Sequence, residues 1–152
     1  MYKYLILFFL LIVPFESYSD DDSISQFVYG YLKRINDFID DEKFEDAQRE
    51  LDIFVRRYFV NEQSYERALI NQLYGNFWAI QGEYEKAIPW YEKSLKFKKM
   101  PLVTGLQVRV GLSQCYFQMS NYSKTIEVLE QYKAIAEQRR LLFPPTYRVM
   151  LG

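Results

Sequence analysis

The hydrophobic positions between Ala68 and Leu95 fall into two helical runs separated by one glycine. Up to Gln81 the apolar residues recur at a spacing of three or four. Gly82 interrupts the pattern, and a second helical run begins at Glu83. Small residues (Gly75, Ala79, Ala87) stand where two helices must approach, and the aromatics Tyr74, Trp78, Tyr84 and Tyr91 supply the volume between them. The pattern predicts a helix–turn–helix hairpin with small-into-large packing. Pro89 lies inside the second helix and is expected to kink or weaken it, because it removes a backbone donor, at a cost of up to about 3 kcal/mol.

The pattern occurs twice more. Between Ile24 and Phe59 a first helix, over Ser25–Asp40, carries Phe27, Tyr31, Ile35 and Phe38 as its inner positions. A second helix carries Phe44, Ala47, Leu51 and Phe54. The turn reads Asp41-Glu42-Lys43, with Glu42 in the place of Gly82, and Ala47 takes the place of Ala87 one repeat earlier. From Leu102 to about Gln138, Leu112, Ser113 and Tyr116 precede Tyr122, Thr125 and Leu129, with Thr125 in the place of Ala87 one repeat later. Lys98 to Thr104, which includes Pro101, is expected to be a connecting loop. Near the carboxyl end, Pro144-Pro145 lead into Tyr147–Gly152, where Leu151-Gly152 restarts the pattern. The phase of the repeat predicts a fourth, incomplete unit there. That is the expectation for the front part of a longer protein; the alternative is a short protein whose tail packs on the third hairpin.

The residues Tyr74-Gly75, Trp78, Gly82-Glu83-Tyr84, Ala87 and Tyr91 resemble the tetratricopeptide repeat, with Asn71, Ser94 and Pro89 departing from its pattern. The resemblance implies an all-α fold, a right-handed superhelix of antiparallel helix hairpins. It divides the chain into a degenerate hairpin at 20–60, repeats at 61–100 and 101–138, and the beginning of another at 139–152. From Asn61 to Gly152 the chain is also similar to exported proteins of this type found beside the TonB–ExbB–ExbD energy-transduction machinery of Gram-negative bacteria. That similarity implies a non-enzymatic periplasmic scaffold serving energy transduction or envelope transport, with TonB-system components among its partners.

Residues 1–19 fit an export signal. Lys3 gives the positive start, Leu5 to Phe15 form an apolar run of about 11 residues, and Ser17 and Ser19 suit cleavage before Asp20. The run is short of the ~20 residues of a spanning helix, so no stable membrane insertion is expected after cleavage. A membrane-tethered envelope assembly subunit, with residues 5–15 retained, is the alternative. Asp20-Asp21-Asp22-Ser23 are expected to be a linker and cap leading into the first helix.

Composition narrows the chemistry. The 152 residues include 18% aromatics, one cysteine and no histidine, with a net charge of -1. An intrachain disulfide and any histidine-based triad, metal site or proton shuttle are therefore excluded. No clustered basic surface for nucleic acid is present. No phosphate loop, cysteine pair or acidic metal loop occurs, and no cofactor is implied. Cys115 is expected in the core, and Glu83, Glu85, Lys86, Glu92 and Lys93 in exposed intrahelical ion pairs. Arg139-Arg140 are expected to complement a helix end.

In the tetratricopeptide family the first helices of the hairpins line a groove that takes peptides. Asn76, not needed for the hairpin core, recurs as Asn36 one repeat earlier and as Gln114 one repeat later. Three amides in a row can donate to and accept from an extended backbone. Tyr29, Leu32, Gln72, Val110, Phe117 and Gln118 flank them. The lysine clamp by which chaperone-binding members hold a terminal carboxylate has no match at Leu32, Asp40, Gln72, Ile80, Val110 and Gln118. The expected ligand is a protein or peptide segment without such a terminus.

Overall fold

The computed structural model describes residues 26–57, 64–141 and Tyr147. The expected export signal at 1–19, the expected linker at 20–23 and most of the segment after Leu141 lie outside the described residues. Among the described residues the fold is all-helical, with helices α1 (Gln26–Asp40), α2 (Phe44–Arg57), α3 (Tyr65–Ile80), α4 (Tyr84–Leu95), α5 (Leu102–Gln118) and α6 (Tyr122–Gln138).

Three turns of the same construction set the phase. Glu42, Gly82 and Ser120 adopt positive φ of 58°, 78° and 59°. In each case the next amide reaches back to close the helix end: Lys43 N to Phe38 O at 2.8 Å, Glu83 N to Trp78 O at 3.0 Å, Asn121 N to Tyr116 O at 2.9 Å. Gly82 adopts this conformation freely, whereas Glu42 and Ser120 carry a steric cost that the closing bonds offset. Arg140, at φ 57°, ends α6 in the same way, with Leu141 N bonded to Ala136 O at 2.8 Å.

Consecutive helices pack pairwise, α1 on α2, α3 on α4 and α5 on α6, and α4 packs on α5. The first helices also meet one another, α1 with α3 and α3 with α5, whereas the backbones of α2, α4 and α6 do not approach each other. Helix α3 is central and is buried on most of its circumference, including Leu69, Ile70, Leu73, Phe77 and Ala79. Ser64 caps it by accepting from Arg67 N at 3.2 Å.

The tightest packing surrounds Tyr91 of α4, which is 1% exposed. A Cβ added to Gly75 of α3 would stand 2.7 Å from its ring, and one added to Gly111 of α5 would stand 2.8 Å from it. The ring therefore occupies volume that two missing side chains leave open. Ser94, also fully buried, donates its hydroxyl to Ala68 O at 2.8 Å, which satisfies the polar atom it brings where the repeat pattern has alanine.

Three expectations change. The inner stripe of α1 is Val28, Ile35 and Ile39, with Leu32 partly buried; Phe27 is 51% exposed, and Tyr31 and Phe38 are half-buried on the rim. Bulky rings at 27, 31 and 38 suggest a core stripe that lies one residue away from the true one. Trp78 and Tyr84 are likewise half-buried, and Phe77, 1% exposed, joins the buried Tyr74 as a core ring of α3. The connecting loop is shorter than Lys98–Thr104. Helix α5 begins at Leu102 behind Pro101, and Thr104 is buried with its hydroxyl 2.9 Å from that of Tyr65. Pro89 stands inside α4 as expected, and the helix continues around it from Tyr84 to Leu95. The donor it lacks would have met the carbonyl of Glu85, and both residues are exposed, so water can take its place.

The packing of Tyr91 yields a test. An alanine for glycine in a helix ordinarily stabilises by up to about 1 kcal/mol, but overpacking costs about 1–3 kcal/mol. Gly75→Ala should lower the urea midpoint of unfolding in the native background. In a Tyr91→Leu background, which places the residue type of Leu51 and Leu129 against that glycine, the same change should raise it. A stabilising Gly75→Ala in the native protein contradicts the packing described.

Candidate partner-binding face

Every residue expected to line a groove falls on a first helix: Tyr29, Leu32 and Asn36 on α1, Gln72 and Asn76 on α3, and Val110, Gln114, Phe117 and Gln118 on α5. These three helices form the layer in which successive backbones touch. Tyr29, Phe117 and Gln118 are exposed, and the other six are half-buried. Phe117 meets the ring of Tyr122 edge-on at 5.7 Å, at the turn into α6.

Asn76 differs from its expected role. Its Oδ1 accepts the hydroxyl of Tyr91 at 2.8 Å, so it is part of the hairpin core. The bond joins α3 to α4 and follows from the placement of the Tyr91 ring between Gly75 and Gly111. Burial, with Cys115 close by, pushes the Tyr91 phenol well above its ordinary pKa, so the hydroxyl keeps its proton and donates to Asn76.

The remaining amides are less committed. Asn36 Oδ1 is buried with no hydrogen-bond partner, and so is Gln107 Nε2 on α5. One is an acceptor and the other a donor. Gln107 is not among the residues expected from the repeat, although it precedes Val110 by three positions and Gln114 by seven, the spacing of a single helix face. Asn71 Oδ1 and Arg109 Nε are also buried without partners. Arg109 Nη1 donates to Gly105 O at 3.0 Å, and burial lowers the pKa of its guanidinium.

The other chemically suggestive groups have structural partners. Burial pushes the Cys115 thiol up to about 12, so it is not a nucleophile at neutral pH. Glu92 accepts the Tyr116 hydroxyl at 2.9 Å; burial and this bond raise the Tyr116 phenol to about 12. Lys86 pairs with Glu83 at 3.2 Å and also lies over the Trp78 ring at 4.7 Å, while Lys93 lies over Trp90 at 4.3 Å. The expected intrahelical ion pairs of α4 thus give way in part to cation–π and tyrosine contacts. Among the described residues no group of three or more His, Cys, Asp or Glu side chains could hold a metal ion, and no helix is long and apolar enough to cross a membrane.

The Asn76–Tyr91 bond predicts a stability effect. Asn76→Ala leaves a buried phenol without its acceptor and should destabilise by about 1–3 kcal/mol in chemical denaturation. Adding Tyr91→Phe, which removes the stranded hydroxyl, should recover most of the loss. Asn36→Ala, which deletes an acceptor that has no donor, should cost far less than Asn76→Ala. Comparison with protein-family models and with curated proteins gives no match.

Proposed function

We propose that this chain is a protein-interaction scaffold of the tetratricopeptide type, exported to the periplasm, whose first-helix face holds an extended segment of a partner protein. The observation that carries the proposal is the layer formed by the first helices α1, α3 and α5, which carry the half-buried Leu32, Asn36, Gln72, Val110 and Gln114 together with the exposed Tyr29, Phe117 and Gln118. Side-chain amides both donate and accept, and an extended peptide offers an N–H and a C=O at every residue. The recurring turns at Glu42, Gly82 and Ser120 support the repeat character. The close approach of α1, α3 and α5, beside the separation of α2, α4 and α6, supports a layered array that curves toward the first helices. A right-handed superhelix is the form this implies. The mixed amide and apolar lining suits a near-neutral segment.

Peptides selected from a random display library against the purified protein test the face. Asn36→Ala and Gln114→Ala should each weaken binding about 2- to 10-fold, the loss of one hydrogen bond, with the melting curve preserved. Lys96→Ala, on the second-helix side, should have no effect. Loss of binding in Lys96→Ala with retention in both amide variants places the ligand on the opposite side and overturns the proposal.

Export is tested separately. The intact mass of protein recovered from the periplasm should correspond to a chain beginning at Asp20. Recovery of residues 1–19 in a membrane fraction contradicts cleavage.

A further inference from the structure

The two junctions between hairpins are built differently. Helices α4 and α5 run close together over much of their length, and Tyr91 lies against the bare backbones of Gly75 and Gly111. One repeat earlier, Leu51 takes the place of Tyr91, and Ile35 and Leu73 take the places of the two glycines. All three are buried in one cluster. Side chains therefore stand where the second junction has none, and the backbone of α2 comes near that of α3 over a short stretch only. With Ile35 in the place of a glycine, α1 and α2 also meet over a shorter stretch than α3 and α4.

The first junction is made by side chains. Phe44 of α2 meets Phe77 of α3 edge-on, with ring centroids 6.4 Å apart, and Leu32 of α1 packs against Tyr65, Ala68 and Leu69. The hydroxyl of Tyr74 donates to Asp52 of α2 at 3.1 Å, while its ring stacks on Trp90 of α4. Tyr74 thus belongs with α3 and α4 and reaches the first hairpin through its hydroxyl. The stability of a repeat array is close to the sum of its hairpins and of the junctions between them, so it parts first where the junction is weakest. Helices of 15 and 14 residues do not hold their structure as an isolated pair in water, so α1 and α2 lose it together when they part from α3.

We infer that the first hairpin is a conformational switch: α1 and α2 open as one unit from a core of α3–α6 that stays folded, and the Asp52–Tyr74 bond is the latch that holds them closed. Closure completes the first-helix layer, because Tyr29, Leu32 and Asn36 belong to the switching unit whereas Gln72, Val110 and Gln114 belong to the core. A ligand that touches both parts would bind only the closed form and shift the protein toward it. That consequence rests on the peptide-holding role proposed for the layer; the opening itself does not.

Native-state hydrogen exchange of the full chain, read residue by residue and without any ligand, tests the switch. The best-protected amides of α1 and α2 should share one opening equilibrium, at least about tenfold more open than that of the best-protected amides of α3, α4 and α5. Tyr74→Phe, which keeps the ring and removes the hydroxyl, should raise the opening of α1 and α2 about 2- to 10-fold. Val108→Ala removes two buried carbons from the core of α3–α6 and should raise the opening of α3, α4 and α5 about tenfold. It should leave α1 and α2 unchanged, because the contacts of Val108 survive when the first hairpin opens. Equal protection in the two sets of helices, or a Val108→Ala effect that is the same in both, shows a protein that opens as a whole and overturns the inference. Opening of α1 without α2 overturns the shared unit, and a Tyr74→Phe variant with unchanged exchange in α1 and α2 overturns the latch.

Discussion

The packing of one aromatic ring between two glycines organises the central part of this protein. Tyr91 can be 1% exposed only because Gly75 and Gly111 have no Cβ to occupy its volume. Those glycines lie on different helices, so the same ring fixes α4 against both its own hairpin partner and the first helix of the next hairpin. Burying a phenol costs free energy unless its hydroxyl is satisfied, and Asn76 provides the acceptor at 2.8 Å. Shape and hydrogen bonding are thereby coupled. The ring cannot shift without stranding its hydroxyl, and α3 cannot rotate without driving a backbone into the ring.

Around that contact the hairpins are joined by a second device, a carboxylate on one second helix that takes a tyrosine hydroxyl from the following first helix. Asp52 with Tyr74 and Glu92 with Tyr116 are the two examples. Tyr74 also stacks on Trp90, with ring centroids 4.3 Å apart, so one side chain of α3 meets α4 through its ring and α2 through its hydroxyl. The surface ion pairs, such as Lys33 with Asp37 at 2.8 Å, are exposed on both sides and contribute little by comparison. Register between hairpins therefore rests on the buried Tyr91 ring and on the two tyrosine–carboxylate bonds, Asp52–Tyr74 partly buried and Glu92–Tyr116 exposed.

Because the first helices lie against one another, the amides they carry are partly enclosed, and their fates diverge. Asn76 is consumed by the core, Asn36 keeps an orphaned oxygen, and Gln107 has an orphaned nitrogen. Amides that look alike along the sequence thus include one structural residue and candidates for recognition. The distinction is created by Tyr91, which supplies a donor to Asn76 and has no equivalent in the first or third hairpin, where Leu51 and Leu129 occupy that position.

The sequence by itself determined the helices, their turns and the phase of the repeat. These are local properties: a helical apolar period, a residue able to adopt positive φ, and a small residue at a close approach are all encoded within about one hairpin. Glu42 in the place of Gly82 was legible on that basis, as was the burial of Ala47, Ala87 and Thr125. The tertiary structure decided which face of each helix turned inward and which polar atoms found partners. One residue of sequence is about 100° of helix rotation, so a stripe through Phe27 and Tyr31 and a stripe through Val28 and Ile35 look similar in sequence and point in different directions. Whether Asn76 meets a hydroxyl, or Asn36 and Gln107 meet nothing, depends on atoms that approach to about 3 Å only after several helices have been placed together. That placement is a property of the assembled core, and no periodicity along the chain contains it.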